Sequence, residues 1–230
     1  KRIYKNDINV TNLIKLNYDS SILYKDLEAV FNRLDVDSIE IDTSYTIFTK
    51  KFELTKVIEW HEGVNGKWDE DISSYDIEFK NTDNIGDIRC TWEINRHQFM
   101  PYLAAIYLKT SDRKIIELLE QHFDNWVENN KFLKGENWTS SMEIALRAYQ
   151  WLIVLFLLKD VDIKLFKDKL CRAIVASIDY VMDNLSLYSS ANNHLIVEVA
   201  ISSIVGYCFK DVYKQSWLDR GYKILKKELS

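Results

Sequence analysis

Residues 140–159 read SSMEIALRAYQWLIVLFLLK, and this stretch decides the class of fold. Ser140 followed three residues later by Glu143 has the form of a capping box, which opens a helix. Residues 151–158 are apolar without exception, so this half of the helix offers no face to water. Such a helix belongs at the centre of an assembly of helices. At eight residues the run is also far shorter than the ~20 needed to cross a bilayer.

Outward from this helix the pattern stays helical. Residues 96–109 predict one helix, with Pro101 tolerated near its start. Residues 111–128 predict the next, with Ile115, Ile116, Leu119, Phe123, Trp126 and Val127 on one stripe. Helices are also expected over 163–187, 193–209 and 212–229, the second of these apolar on most faces. Six long helices with short connectors imply antiparallel hairpins. Two helices apolar nearly all round suit an inner ring covered by an outer one. The expected fold is therefore mainly all-α, an incomplete α/α toroid, with a simple bundle as the plainer alternative. Before residue 85 the chain is mixed. Residues 21–34 predict an amphipathic helix, 38–51 one or two short strands or an extended arm, 60–68 a turn between Trp60 and Trp68, and 69–84 polar surface. We divide the chain into a mixed segment, 1–84, packing on a toroid portion, 85–230.

Composition removes several functions. The 230 residues carry 30 Lys plus Arg against 35 Asp plus Glu, a net charge of −5, with no basic block for a phosphate backbone. No glycine spacing fits a dinucleotide or phosphate loop. Cys90, Cys171 and Cys208 form no C-x-x-C, and His61, His97, His122 and His194 have no metal-helix spacing. No metal or cofactor is expected, and neither nucleic acid nor a membrane span. The chain begins at Lys1 rather than Met and reads as an excised segment, which leaves its compartment open.

Three polar clusters interrupt the helical pattern. They are WEINRHQ at 92–98, GENWTSSME at 135–143 with Arg147 beyond it, and NNH at 192–194 with Glu198 beyond it. Each is expected at a helix N-terminal end. Parallel inner helices would gather those ends on one concave face, where backbone N–H groups favour an anion. Asn95, Arg96, His97, Asn137, Trp138, Glu143, Arg147, Asn193 and His194 are then the candidate site. Trp stacks on a sugar ring, Arg pairs with carboxylate or sulfate, and Asn donates hydrogen bonds. Each also has a structural reading. Asn192 or Asn193 is a common N-cap, the capping box accounts for Ser140 and Glu143, Glu143 with Arg147 suits an i,i+4 ion pair, His194 with Glu198 suits a packed pair, and Trp138 suits a core.

The three clusters, in this order and at about this spacing, resemble the heparinase II/III-like polysaccharide lyases over roughly residues 85–230. The resemblance implies an α/α toroid followed by a β-sandwich domain that lies outside this chain, with the cleft between them. It implies β-elimination on a uronic-acid-containing polysaccharide. Asn193 beside His194 matches the family's carboxylate-neutralising pair, so these two are the implied catalytic residues and the other seven the substrate-binding ones. The partners implied are an acidic polysaccharide and the C-terminal domain of the same polypeptide. The family's Tyr, in a Tyr-His motif several tens of residues further on, has no counterpart here. Tyr207, Tyr213 and Tyr222 lie too close to Asn193 and lack a following His, so this fragment alone is expected to be inactive. Heparan-type glycosaminoglycan, alginate and bacterial exopolysaccharide all fit as substrates. Two other classes remain open: an α/α-toroid glycoside hydrolase using Glu93, Glu143 or Glu198, and a non-catalytic scaffold that binds carbohydrate or protein.

Overall fold

The computed structural model describes residues 41–48, 50–79, 84–188, 193–209 and 215–228. The helix expected over 21–34, and Asn192 and Tyr213, lie outside them. The first elements form an antiparallel hairpin, β1 (Ser44–Ile47) and β2 (Lys50–Glu53), in register Ser44↔Glu53 to Ile47↔Lys50. Tyr45 sits on its inner side, in edge contact with Phe99. The loop at 60–68 closes through a Gly63 N–H to Gly66 carbonyl bond of 2.7 Å.

Helices follow: α1 (Ile88–Asn95), α2 (Phe99–Thr110), α3 (Arg113–Asn129), a 3₁₀ turn (Glu136–Trp138), α4 (Ser141–Leu157), α5 (Lys164–Asp183), α6 (Asn193–Cys208) and α7 (Gln215–Glu228). The expectation of a mainly helical chain holds. One boundary differs. The helix expected over 96–109 begins only at Phe99, because His97 takes a left-handed φ of 62° and separates it from a further helix, α1, that the sequence did not predict. A β-branched-free run such as RHQ carries no Gly or Pro, so the break left no ordinary signal. Pro101 is the third residue of α2, where its missing N–H costs no helical bond.

Asp87 and Asp112 cap α1 and α3 through side-chain bonds to the N–H groups of Arg89 and Lys114. The capping box at Ser140 does not form. Ser140 has the extended cap conformation but no side-chain cap bond, and Glu143 is bound elsewhere.

The helices pair as α2–α3, α4–α5 and α6–α7, and α4 touches α2, α5 and α6. The outer helices α3 and α5 run parallel: Phe123 meets Phe166 with ring centroids 5.8 Å apart, and Phe132, just past α3, meets Tyr180 near the end of α5 at 5.7 Å. Since α2 and α4 are each antiparallel to their outer partner, α2 and α4 begin at the same end of the molecule. Closure of these hairpins into a toroid goes beyond this layered arrangement.

The last hairpin is held close by glycine. A Cβ on Gly206 of α6 would lie 2.8 Å from the Leu218 nitrogen and 3.1 Å from the Trp217 Cβ of α7. Gly206→Ala would raise helix propensity on an open surface. Here it forces the helices apart, and we predict a loss of about 1–3 kcal/mol in chemical denaturation. A gain in stability would mean that the two helices are free to separate.

Candidate functional site

Two of the three sequence clusters, 92–98 and 135–147, meet at the end where α2 and α4 begin. Seven of the nine candidate residues form one connected group there. Arg147, on α4, sends Nη1 to the Asn95 carbonyl at 3.1 Å and Nη2 to the Asn137 carbonyl at 3.0 Å. Its guanidinium lies 4.3 Å from the Trp126 ring centre and 5.5 Å from that of Trp138. Asn95 donates to the Trp60 and Thr91 carbonyls and accepts from the Trp126 indole at 2.8 Å. Asn137 donates to Asn130 Oδ1 at 2.8 Å and to Glu136 Oε1 at 2.9 Å. Thus α1, the 3₁₀ turn and α4 are joined through one side chain.

Arg96 follows the end of α1 and ties it to α4. It makes a two-pronged contact with Glu143, including Nη2 to Oε1 at 2.9 Å, and a second ion pair with Glu93. These bonds hold its pKa above the ordinary arginine value, Glu143 being the main cause. The expected Glu143–Arg147 pair is therefore replaced by Glu143–Arg96. Arg147 is bound by carbonyls and indole rings instead. Burial pulls its pKa down to about 9, opposed by the charges of Glu143 and Glu136. It is still a cation at neutral pH.

His97 accepts the Trp151 indole N–H on Nδ1 at 2.9 Å, which places its own proton on Nε2, and that atom has no partner. Complete burial and the nearby Arg147 charge push its pKa well down, so it is neutral. His61 is the opposite case. Its Nδ1 lies 3.0 Å from both oxygens of buried Glu136, and its Nε2 lies 3.1 Å from the Asn129 carbonyl. Both nitrogens face acceptors, an arrangement that favours the doubly protonated ring. Burial opposes this, but the Glu136 carboxylate outweighs it and the pKa rises above 6.5.

Asn95, His97, Asn137, Trp138, Glu143 and Arg147 are buried, and Arg96 is half-buried. The expectation of an open concave face lined by all nine thus needs correction. Asn95 ends α1 instead of opening a helix, and six of the nine are buried. Only Asn193, exposed, and His194, half-buried, stand in the first turn of α6. They join the rest indirectly. Ser141 Oγ at the start of α4 donates to the Asn184 carbonyl at 2.8 Å, and Ser186 donates to Glu198 of α6. Glu198 is engaged with Ser186 rather than paired in isolation with His194.

The sequence profile for the heparinase II/III N-terminus matches residues 16–230. The chain belongs to this family. No curated protein and no solved structure matches it. In this heparinase II/III N-terminal chain, sequence reasoning missed His61, Asn130 and Ser186. His61 and Ser186 lie in irregular segments without periodicity, and Asn130 reads as an ordinary helix end. Glu136 stands inside a quoted cluster, and its burial was the missing clue. Among the described residues no group of three His, Cys, Asp or Glu is placed to hold a metal, and no helix is long and apolar enough to cross a membrane. Between α3 and α5 lies a mostly apolar groove of about 570 Å³, with Trp138, Phe132 and Tyr180 in its walls.

Two predictions follow from the buried charges. Arg147→Met orphans the Asn95 and Asn137 carbonyls. At about 1–3 kcal/mol for each, the loss should be about 2–6 kcal/mol by urea denaturation. A loss under 1 kcal/mol would deny the guanidinium its central role. The His61–Glu136 pair contributes stability through a raised folded-state pKa. That contribution is full below the unfolded value of 6.5 and is lost as pH rises through the folded value. The stability gap between wild type and Glu136→Gln should therefore be wider at about pH 6 than at alkaline pH. A gap that does not change with pH would place a neutral ring at His61.

Proposed function

We propose that the chain is the helical part of a polysaccharide lyase that cleaves uronic-acid-containing polysaccharide by β-elimination, and that its helical hairpins are part of an α/α toroid. The membership in the heparinase II/III N-terminal family supports the reading at the level of the family. The observation that carries the site is accessibility. Asn193 and His194 are the candidate pair left open to a ligand, in the first turn of a 16-residue helix, while the buried network fixes the ends of the neighbouring helices.

The chemistry sets what those residues must do. The C5 proton of a uronate is too weakly acidic to remove while the adjacent carboxylate is fully charged. Amide and imidazole donors at that carboxylate let charge build on its oxygens as the proton leaves. Asn193 and His194 supply such donors, helped by the partial positive charge of the α6 N-terminus. A base then takes the C5 proton and an acid protonates the departing O4. We place those two groups in the polypeptide beyond residue 230, as a Tyr and a second His.

The hydrolase alternative needs two facing, available carboxylates. Glu93 and Glu143 both bind Arg96, and Glu198 binds Ser186, so none of the three is free. The scaffold alternative is decided by assay. With the full-length polypeptide, an absorbance scan for the unsaturated uronate product against a panel of acidic polysaccharides should find a substrate. Asn193→Ala should then lower kcat about 10²–10³-fold with little change in KM, and residues 1–230 alone should form no product. Unchanged turnover in Asn193→Ala on a proven substrate would falsify the role.

A further inference from the structure

Glu198 is fully buried in α6, at a level where its neighbours Leu195, Val199 and Ile201 are apolar. Both of its carboxylate oxygens bind one residue. Oε2 accepts the backbone N–H of Ser186 at 2.8 Å, and Oε1 accepts the Ser186 hydroxyl at 2.6 Å. Ser186 stands shortly after the end of α5 and only seven positions before Asn193. The chain must reverse direction between these points. The carboxylate fixes the start of that return against α6 itself, one turn below His194.

A buried carboxylate is a costly way to fill a core position. Burial raises the pKa of Glu198, and the two Ser186 bonds and the charge of His194 pull it back. Leucine would fill the space at lower cost, but it would leave the Ser186 N–H unpaired and the return unanchored. The clamp also connects onward. Asn184, two residues before Ser186, accepts from Ser141 at the start of α4, so the same short segment touches the first turn of α4 and the second turn of α6.

We infer that Glu198 is a positioning residue for Asn193 and His194: by clamping Ser186 it sets where the first turn of α6 presents the pair. This rests on the reading of that pair as the groups that neutralise the substrate carboxylate. Glu198 itself touches no substrate. Misplacing a donor by about 1 Å costs on the order of 10²-fold in rate, so loss of the clamp acts on turnover more than on binding.

The test uses the full-length polypeptide and a polysaccharide it is shown to cleave, with four variants: Glu198→Ala, Glu198→Gln, Ser186→Ala and Asn193→Ala. Glu198→Ala should lower kcat about 10–100-fold with KM nearly unchanged, and should speed deuterium exchange at the Ser186 amide. Glu198→Gln should recover most of the rate, since its amide oxygen still accepts the Ser186 N–H and its NH2 group can donate to the hydroxyl. Ser186→Ala removes one of the two bonds and should fall between wild type and Glu198→Ala. If Glu198→Ala does not fold, Ser186→Ala carries the test, and wild-type kcat with wild-type exchange in it overturns the clamp. A Glu198→Gln variant as slow as Glu198→Ala also overturns it. Wild-type turnover in Glu198→Ala beside a damaged Asn193→Ala overturns the clamp alone, whereas wild-type turnover in Asn193→Ala overturns the pair's role and the inference with it.

Discussion

The Arg147 guanidinium is a charge placed where the molecule has almost no water, and the surrounding architecture answers to it. Such a cation is stable only if its donors find acceptors and its faces find polarisable surface. Two carbonyls accept from Nη1 and Nη2, Nε makes no hydrogen bond, and Trp126 and Trp138 cover the faces. Those carbonyls belong to Asn95, at the end of α1, and Asn137, in the 3₁₀ turn. The requirement therefore fixes two irregular backbone segments against α4. Lysine could not substitute, because one ammonium cannot reach both carbonyls in a planar fork. Around this centre the other buried polar groups fall into order: Asn95 carries the Trp126 indole, Asn137 carries Asn130 and Glu136, and Glu136 carries His61.

The arrangement separates polar groups by depth. Buried ones hold the beginnings of the inner helices in register, while the pair proposed to meet the substrate carboxylate stands further out in the first turn of α6. His97 illustrates the buried kind. Its left-handed backbone is unfavourable for a non-glycine residue, and it persists because the ring is locked by the Trp151 indole and by contacts with Trp60, Trp126 and Phe99. Asn193 illustrates the outer kind, with an exposed amide at a helix end. A polar residue in a motif can thus belong to a family's pattern for reasons of support rather than contact.

Much of this was legible in the sequence. The all-apolar run at 151–158 announced a central helix, and the helix spans after 111 followed from periodicity, since burial on one stripe leaves a clear 3.6-residue signal. The clusters at 92–98 and 135–147 stood out because buried polar residues break that signal. Their depth was not legible. Asn95 and Asn193 look alike as letters, and only packing shows that one is enclosed by Trp60 and Trp126 while the other is open. The partner of Glu143 was also hidden. The i,i+4 spacing favoured Arg147, but Arg96, 47 positions earlier, arrives with two prongs at a shallower level where a paired charge is less costly. The clamp at Ser186 was invisible for a different reason: it joins a loop to a helix, and loops carry no period.

All seven tryptophans are buried, and they are not evenly spread. Trp126, Trp138 and Trp151 face the Arg147 guanidinium, Trp60 rests on His97, and Trp92 donates its indole N–H to the Glu136 carbonyl. Trp217 stands apart in α7. The molecule consequently contains its own optical gauge. Its native emission comes from indoles in dry surroundings beside charged groups, so a shift toward longer wavelength reads water entering the polar network, and Trp217 alone reports on the final hairpin.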